Sequence, residues 1–280
     1  MNQELVNLGI ILAGWIAFYL IAKKLKLERY GFEVRPYYVM FKSTVLNDIL
    51  LRIGGWHPKF WRVMGNMAIV SFFGQVSFLT YLLFQNLYRF LFVPAEASPV
   101  MPIIPGVTIS MGSLPLFLAA AGLVILFHEL GHGIMCAVEG IKVKSSAVLF
   151  AIITFGGAVE PDEESMLAAP MISQLRVFAI GSFVNLIMGV LVNLVFVLIG
   201  QGITGLVLDY LNWSFFLSVN LAMVNMLPVY PLDGGQMTRI YLSSKPDWGV
   251  KLERVAMFGF LGLMVSNLVL SLIQFGIVPL

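Results

Sequence analysis

The chain has 280 residues, 59% hydrophobic and 11% charged, where soluble domains carry about 25% charged residues. With a strongly positive mean hydropathy, this composition excludes a soluble globular domain and predicts one integral membrane domain. The net charge of +2 comes without a long basic face, so no nucleic-acid partner is expected, and the lone cysteine, Cys136, excludes an internal disulfide.

Six apolar segments come near the roughly 17–25 residues that cross a bilayer core: 6–22, 67–93, 114–138, 177–199, 213–228 and 255–277. The fifth is short as bounded and is extended at its start by 206–211. The first precedes Lys23, Lys24 and Lys26. It has neither a basic stretch ahead of it nor a small-residue cleavage site, so it is read as a retained span and not a signal peptide. Segment 35–62 mixes cations with Tyr37, Tyr38, Trp56, Phe60 and Trp61. It predicts a helix over 40–53 lying in the interface, cations toward lipid headgroups, with a surface loop packed on the bundle as the alternative. Residues 94–105 form a proline-punctuated loop.

The third segment reads LPLFLAAAGLVILFHELGHGIMCAV, and its ionisable groups are His128, Glu129 and His132, with Cys136 nearby. Charged groups at this depth cost roughly 2.5–3.5 kcal/mol each on insertion scales, which argues for use. Residues four apart share a helix face, so His128 and His132 can hold one Zn²⁺ while Glu129 reaches a water on it. The bland alternative is a buried polar cluster that joins helices. A catalytic zinc takes three protein ligands and leaves a fourth position open. Cys136 lies about 12 Å of helix rise from His128, too far for bonds of about 2.0–2.3 Å, and Glu139 is further still. His57 reads as an interfacial polar contact.

Asp233 is the best third ligand. It sits in NMLPVYPLDGG (225–235), where Pro228 and Pro231 stop a helix and Gly234 and Gly235 let the backbone turn closely beneath the carboxylate. A carboxylate on irregular backbone at membrane depth needs a protein cavity or water. The preceding Asn220 and Asn225 favour this reading over a plain Asp-Gly turn at the surface, which stays open.

Segment 145–159 (SSAVLFAIITFGGAV) is β-branched, aromatic and too short to cross before its glycine pair. It predicts one or two strands re-entering the membrane near the metal, against a half-helix loop. Glu160, Asp162, Glu163 and Glu164 then read as a solvated acidic face. Asn185 and Asn193 lie near one face of the fourth span and read as helix-joining groups, with a direct role for Asn185 as the alternative. The resulting fold class is an all-α polytopic membrane protein of about six transmembrane helices with a short re-entrant β segment.

Charge sorts the connections. Segment 23–62 carries nine Lys or Arg; 139–176 carries Lys142, Lys144 and Arg176; 229–254 carries Arg239, Lys245, Lys251 and Arg254; segments 94–113 and 200–212 carry none. Arg89 alone breaks the pattern. The basic side is expected to be cytoplasmic, both termini outside, and the metal in the cytoplasmic half of the bilayer.

HELGH (128–132) together with NMLPVYPLDGG, and with GGAVEPDEES (156–165) and GSFVNLIMG (181–189) between them, resembles the site-2 protease family of intramembrane zinc metalloproteases over residues 112–243. The resemblance implies that His128, His132 and Asp233 ligate one zinc per chain, that Glu129 is the general base, and that Asn225 steadies the substrate carbonyl or oxyanion. It implies a single membrane-embedded protease domain over 1–280: a catalytic core at 112–243, a cytoplasmic or interfacial segment at 23–63 and a C-terminal span at 255–277. The implied substrate is a single-span membrane protein cut within the lipid bilayer, its unwound segment added to an unpaired strand edge. The oligomeric state is left open. No insertion large enough for a PDZ domain and no C-terminal nucleotide-sensing domain is seen, so regulation through either is not expected. Two competing readings use the same residues: a membrane metal-ion or proton transporter, and a noncatalytic relative that shelters membrane segments. The first needs polar groups at several depths; against the second, the ligands and the base are all present.

Overall fold

The computed structural model describes residues 3–151 and 155–277. In chain order the elements are α1 (Gln3–Lys24), β1 (Phe32–Arg35), β2 (Tyr38–Ser43), α2 (Val45–Trp56), α3 (Pro58–Phe92), α4 (Leu114–Glu139), β3 (Val143–Ala151), β4 (Phe155–Pro161), α5 (Glu163–Ala168), α6 (Met171–Ile199), α7 (Gly205–Asn225), α8 (Asp233–Ser243) and α9 (Trp248–Phe275). Of these, α1, α3, α4, α6, α7 and α9 are long and apolar enough to cross a membrane, as the six predicted spans require, and the chain is a multi-pass membrane protein. Side chains such as Phe73, Val197, Leu198 and Ile273 stay exposed on the outer faces of these helices, where lipid is their solvent.

The helix ends follow local chemistry. α3 and α4 each open with proline in the first turn, where a missing N–H is harmless. α4 stops at Gly140, whose φ of 74° suits a residue without Cβ. α3 has 35 residues and is about 52 Å long, more than the ~30 Å hydrocarbon layer, so part of it extends beyond that layer. α7 ends at Asn225 rather than 228, because Pro228 disfavours helical backbone in the residue before it.

Segment 23–63 departs from expectation. The interfacial helix predicted over 40–53 is a strand up to Ser43 and a helix only from Val45. β1 and β2 form a hairpin about Pro36 and Tyr37, and Trp15 Nε1 donates to the Pro36 carbonyl at 2.7 Å. Backbone pairing of β2 with β3, from Tyr38↔Ala151 to Ser43↔Ser146, accounts for the strand. α2 combines both expected characters. Leu50 is buried over Gly133 of α4, while Ile49, Leu51, Ile53 and Trp56 remain exposed.

The four antiparallel strands run in the order β1-β2-β3-β4. The β3–β4 hairpin turns back alongside α4, and Gly157 lies against Ile125 and Glu129. Ile125 is about 21 Å of helix rise from Glu139, so the strands re-enter the span as predicted, in place of a half-helix. The part of the predicted segment at 152–154 lies outside the described residues. Two of the four acidic residues that follow are not simply solvated. Glu160 accepts from Ser145 Oγ at 3.0 Å and faces Lys42 at 3.6 Å. Asp162 caps α5 by accepting from Ser165 N at 3.0 Å and faces Lys144 at 3.5 Å; the amide bond first, then the ammonium, holds its carboxyl below the usual range.

α4 and α6 cross closely at Gly131 and Gly181, the small-residue contact that lets membrane helices approach. Around it lies a core of Leu50, Met135, Val177, Ile180 and Met226. A second cluster, with Ile109, Phe117, Val124 and Leu217, fills the other end of α4 and α7. Glu139 is buried at the end of α4, where it accepts from Arg176 Nη1 at 3.0 Å and Ser173 Oγ at 2.5 Å and pairs with Arg62 at 3.4 Å. It ties α3, α4 and α6 together.

Candidate metal centre

His128 and His132 lie one turn apart on the buried face of α4, ring centroids 4.7 Å apart and ring planes at 82°. The third carboxylate arrives from across the bundle. After Asn225 the chain runs irregularly through Pro228 and Pro231, and α8 begins at Asp233. The glycine pair acts differently from the sequence expectation. Gly234 and Gly235 lie inside the first turn of α8, and what they supply is room: a Cβ on Gly234 would collide with the Met226 carbonyl, and one on Gly235 with the Val229 backbone. That close approach brings Asp233 back to the α4 histidines.

Three atoms converge. His128 Nε2 and His132 Nε2 are 3.1 Å apart, and Asp233 Oδ2 is 3.3 Å from the first and 3.2 Å from the second. A tetrahedral zinc with bonds of about 2.0 Å spaces its ligand atoms about 3.3 Å apart. The triangle therefore fits one face of such a tetrahedron and leaves the fourth corner for a non-protein ligand. The donor set, two imidazoles and one carboxylate, is also that of catalytic zinc sites. Among the described residues, these three form the group able to hold a metal.

The surrounding groups orient these three side chains. His132 Nδ1 lies 2.6 Å from the Val177 carbonyl of α6; donation there leaves the Nε2 lone pair directed into the triangle. Asn185, fully buried on α6, places its amide 3.1 Å from His128 Nδ1. Asn225 Nδ2 donates to Asp233 Oδ2 at 2.7 Å and lies 3.1 Å from His128 Nε2. Gly181 forms the floor: a Cβ there would strike His132 Nε2 and come within 2.8 Å of His128 Cε1. Glu129 stands beside the triangle and outside it, its Oε2 accepting from Val159 N of β4 at 2.7 Å.

Every site residue singled out in the sequence thus gathers here: His128, Glu129, His132, Asn225 and Asp233. The residues set aside lie elsewhere. Cys136 is buried in the core, and the His57 ring sits 5.0 Å from that of Trp56 at the α2–α3 corner. Asn193 is exposed, and Asn220, also exposed, donates to its own helix at the Phe216 carbonyl, so it gives Asp233 no support. Gly181 and the backbone groups of Val177 and Val159 went unrecognised. Gly181 was legible in principle, since GSFVN puts it four residues before Asn185 on the same helix face.

Six spans enclosing a His-His-Asp triangle define a polytopic membrane protein with a cluster able to hold one metal ion. Residues 116–266, more than half of the chain, match Peptidase family M50, and the chain belongs to that family of zinc metalloproteases. It is similar to the membrane-bound transcription factor site-2 protease homolog of Arabidopsis thaliana, at 27% identity over 151 residues covering 53% of this chain and 29% of the relative. It is also similar to a zinc metalloprotease of Methanocaldococcus jannaschii, at 26% identity over 158 residues covering 54% of this chain and 43% of the relative. The chain spans less than half the length of these curated relatives.

Proposed function

We propose that this chain is a zinc metalloendopeptidase that hydrolyses peptide bonds within the membrane-spanning segment of a single-span protein, the chemistry of regulated intramembrane proteolysis. The observation that carries the reading is the convergence of His128 Nε2, His132 Nε2 and Asp233 Oδ2 at 3.1–3.3 Å beside an unligated carboxylate. These three residues would hold one zinc per chain. A bound zinc supplies Lewis acidity, which acidifies water and polarises a carbonyl. Glu129 takes the proton of the attacking water and delivers it to the leaving amine. The Val159 amide holds its Oε2, leaving Oε1 as proton acceptor. Asn225, whose amide already lies among the metal ligands, donates to the substrate carbonyl as charge develops there.

A substrate helix hides its amides in i to i−4 bonds and must unwind before attack. β4 is an outer strand of the sheet, and its Val159 N–H points to Glu129 instead of β3. An unwound segment added along that edge comes to lie beside the general base, which supports strand addition as the binding mode. The catalytic core is 112–243 within a single domain over 1–280, flanked by 23–63 and 255–277. Charge asymmetry supports cytoplasmic placement of 23–62, 139–176 and 229–254. His132 is only about 10 Å of rise from the α4 end on that side, so the centre sits in the cytoplasmic half and takes its water from there.

Co-expression with candidate single-span proteins, followed by mass spectrometry of new termini, tests this. New intramembrane termini are expected with the parent. They should fall by about 10²–10⁴-fold with Glu129→Gln, which keeps its zinc. Metal transport by Glu129→Gln at the parental rate in liposomes, with no cleavage by the parent, would favour the transporter and overturn the reading.

A further inference from the structure

The contact between α4 and α6 carries a spacing that packing alone does not require. Val177, Gly181 and Asn185 follow one another at intervals of four and so face α4 together. The Val177 carbonyl meets His132 Nδ1, the bare Gly181 lies under both rings, and the Asn185 amide meets His128 Nδ1. The two helices run antiparallel, so the earlier histidine pairs with the later acceptor.

His128 Nε2 faces Asp233 Oδ2 and His132 Nε2, so a proton on that nitrogen would remove it as a ligand. The imidazole proton must then reside on Nδ1. His128 is buried, and a buried N–H needs an acceptor. The group at hydrogen-bond distance of that nitrogen is the Asn185 amide, at 3.1 Å. With Nδ2 toward the ring, Asn185 Oδ1 is a buried acceptor that has no partner among the described residues. The two ends of an amide are nearly isosteric, and a half-turn about its last torsion presents Oδ1 to the ring.

We propose that Asn185 is a positioning residue whose side-chain carbonyl accepts the His128 Nδ1–H and fixes the imidazole tautomer that binds the metal. The proposal rests on the zinc reading above. Asn185 does for His128 what the Val177 carbonyl does for His132, and only the Asn185 half can be altered by substituting a side chain. α6 is thereby the element that sets both ligand tautomers.

The test uses the full chain in detergent, with zinc affinity measured by chelator competition in the parent, Asn185→Leu, Asn185→Asp and Asp233→Ala. Asn185→Leu keeps the branching at Cγ and removes the acceptor; it should weaken zinc binding about 10–100-fold, the usual range for such outer partners. Asn185→Asp restores an acceptor and should hold zinc within about threefold of the parent by the same argument. ¹⁵N-histidine NMR of the zinc-loaded parent, simplified by a chain with three histidines, should place the His128 proton on Nδ1. This parental spectrum decides the matter even if Asn185→Leu does not fold. Zinc affinity in Asn185→Leu equal to the parent's, equal losses in the Leu and Asp variants, or a proton on His128 Nε2 overturns the proposal while leaving the zinc centre standing. A parent that binds no more zinc than Asp233→Ala overturns the centre and this proposal together.

Discussion

Gly181 sets the tolerance of the site at the scale of one residue. Its missing Cβ is the space occupied by His132 Nε2 and His128 Cε1, so even a methyl group must displace the two rings or the helix that carries it. Gly181→Ala should lower zinc affinity by about tenfold or more, as loss of ligand orientation does elsewhere, readable by chelator competition. Unchanged affinity would show that the rings can move away without breaking the triangle. Residue types differ in how openly they declared themselves. The histidine pair was legible because its geometry is local, four residues on one helix. Asp233 emerged only as the best of several candidates, since its approach depends on a chain reversal about a hundred residues downstream. The Val177 carbonyl and the Val159 amide were invisible, because a backbone group leaves no mark in the choice of side chain.

At the scale of elements, β4 holds the Glu129 carboxylate through its Val159 amide, at the edge where the proposed substrate strand would add. A Cβ at Gly157 would lie 2.9 Å from Glu129 Cγ and 3.3 Å from Ile125 Cγ2, so the strand fits flush against α4 only with glycine there. Gly157→Val should therefore displace Glu129 or the strand while sparing the metal ligands. The expected result is normal zinc content with cleavage reduced about tenfold or more, the scale of a misplaced general base. Loss of zinc in this variant would contradict the separation between base and metal. The six spans were legible because apolar length is a property of each segment alone. The β3–β4 hairpin was legible from its β-branched and aromatic run before Gly156 and Gly157. The β1–β2 hairpin was not: its cations and aromatics suit an interface as well as a strand, and its register comes from β3, a hundred residues away.

For the whole molecule, the basic connections 23–62, 139–176 and 229–254 lie on one side of the six spans, and the proposed orientation rests on that asymmetry. Cys136 is buried, so cysteines introduced elsewhere report their own side of the membrane. With an impermeant maleimide on intact cells, Pro99→Cys should label and Ser244→Cys should label only after permeabilisation. The reverse pattern would put the centre in the outer half of the bilayer. The expectations for the site assume a metal gripped by three side chains from two separate stretches of chain. Elemental analysis of purified parent and Asp233→Ala addresses this directly. About one zinc per parent chain, and almost none in the variant under the same wash, is the predicted result; full zinc occupancy without Asp233 would contradict it.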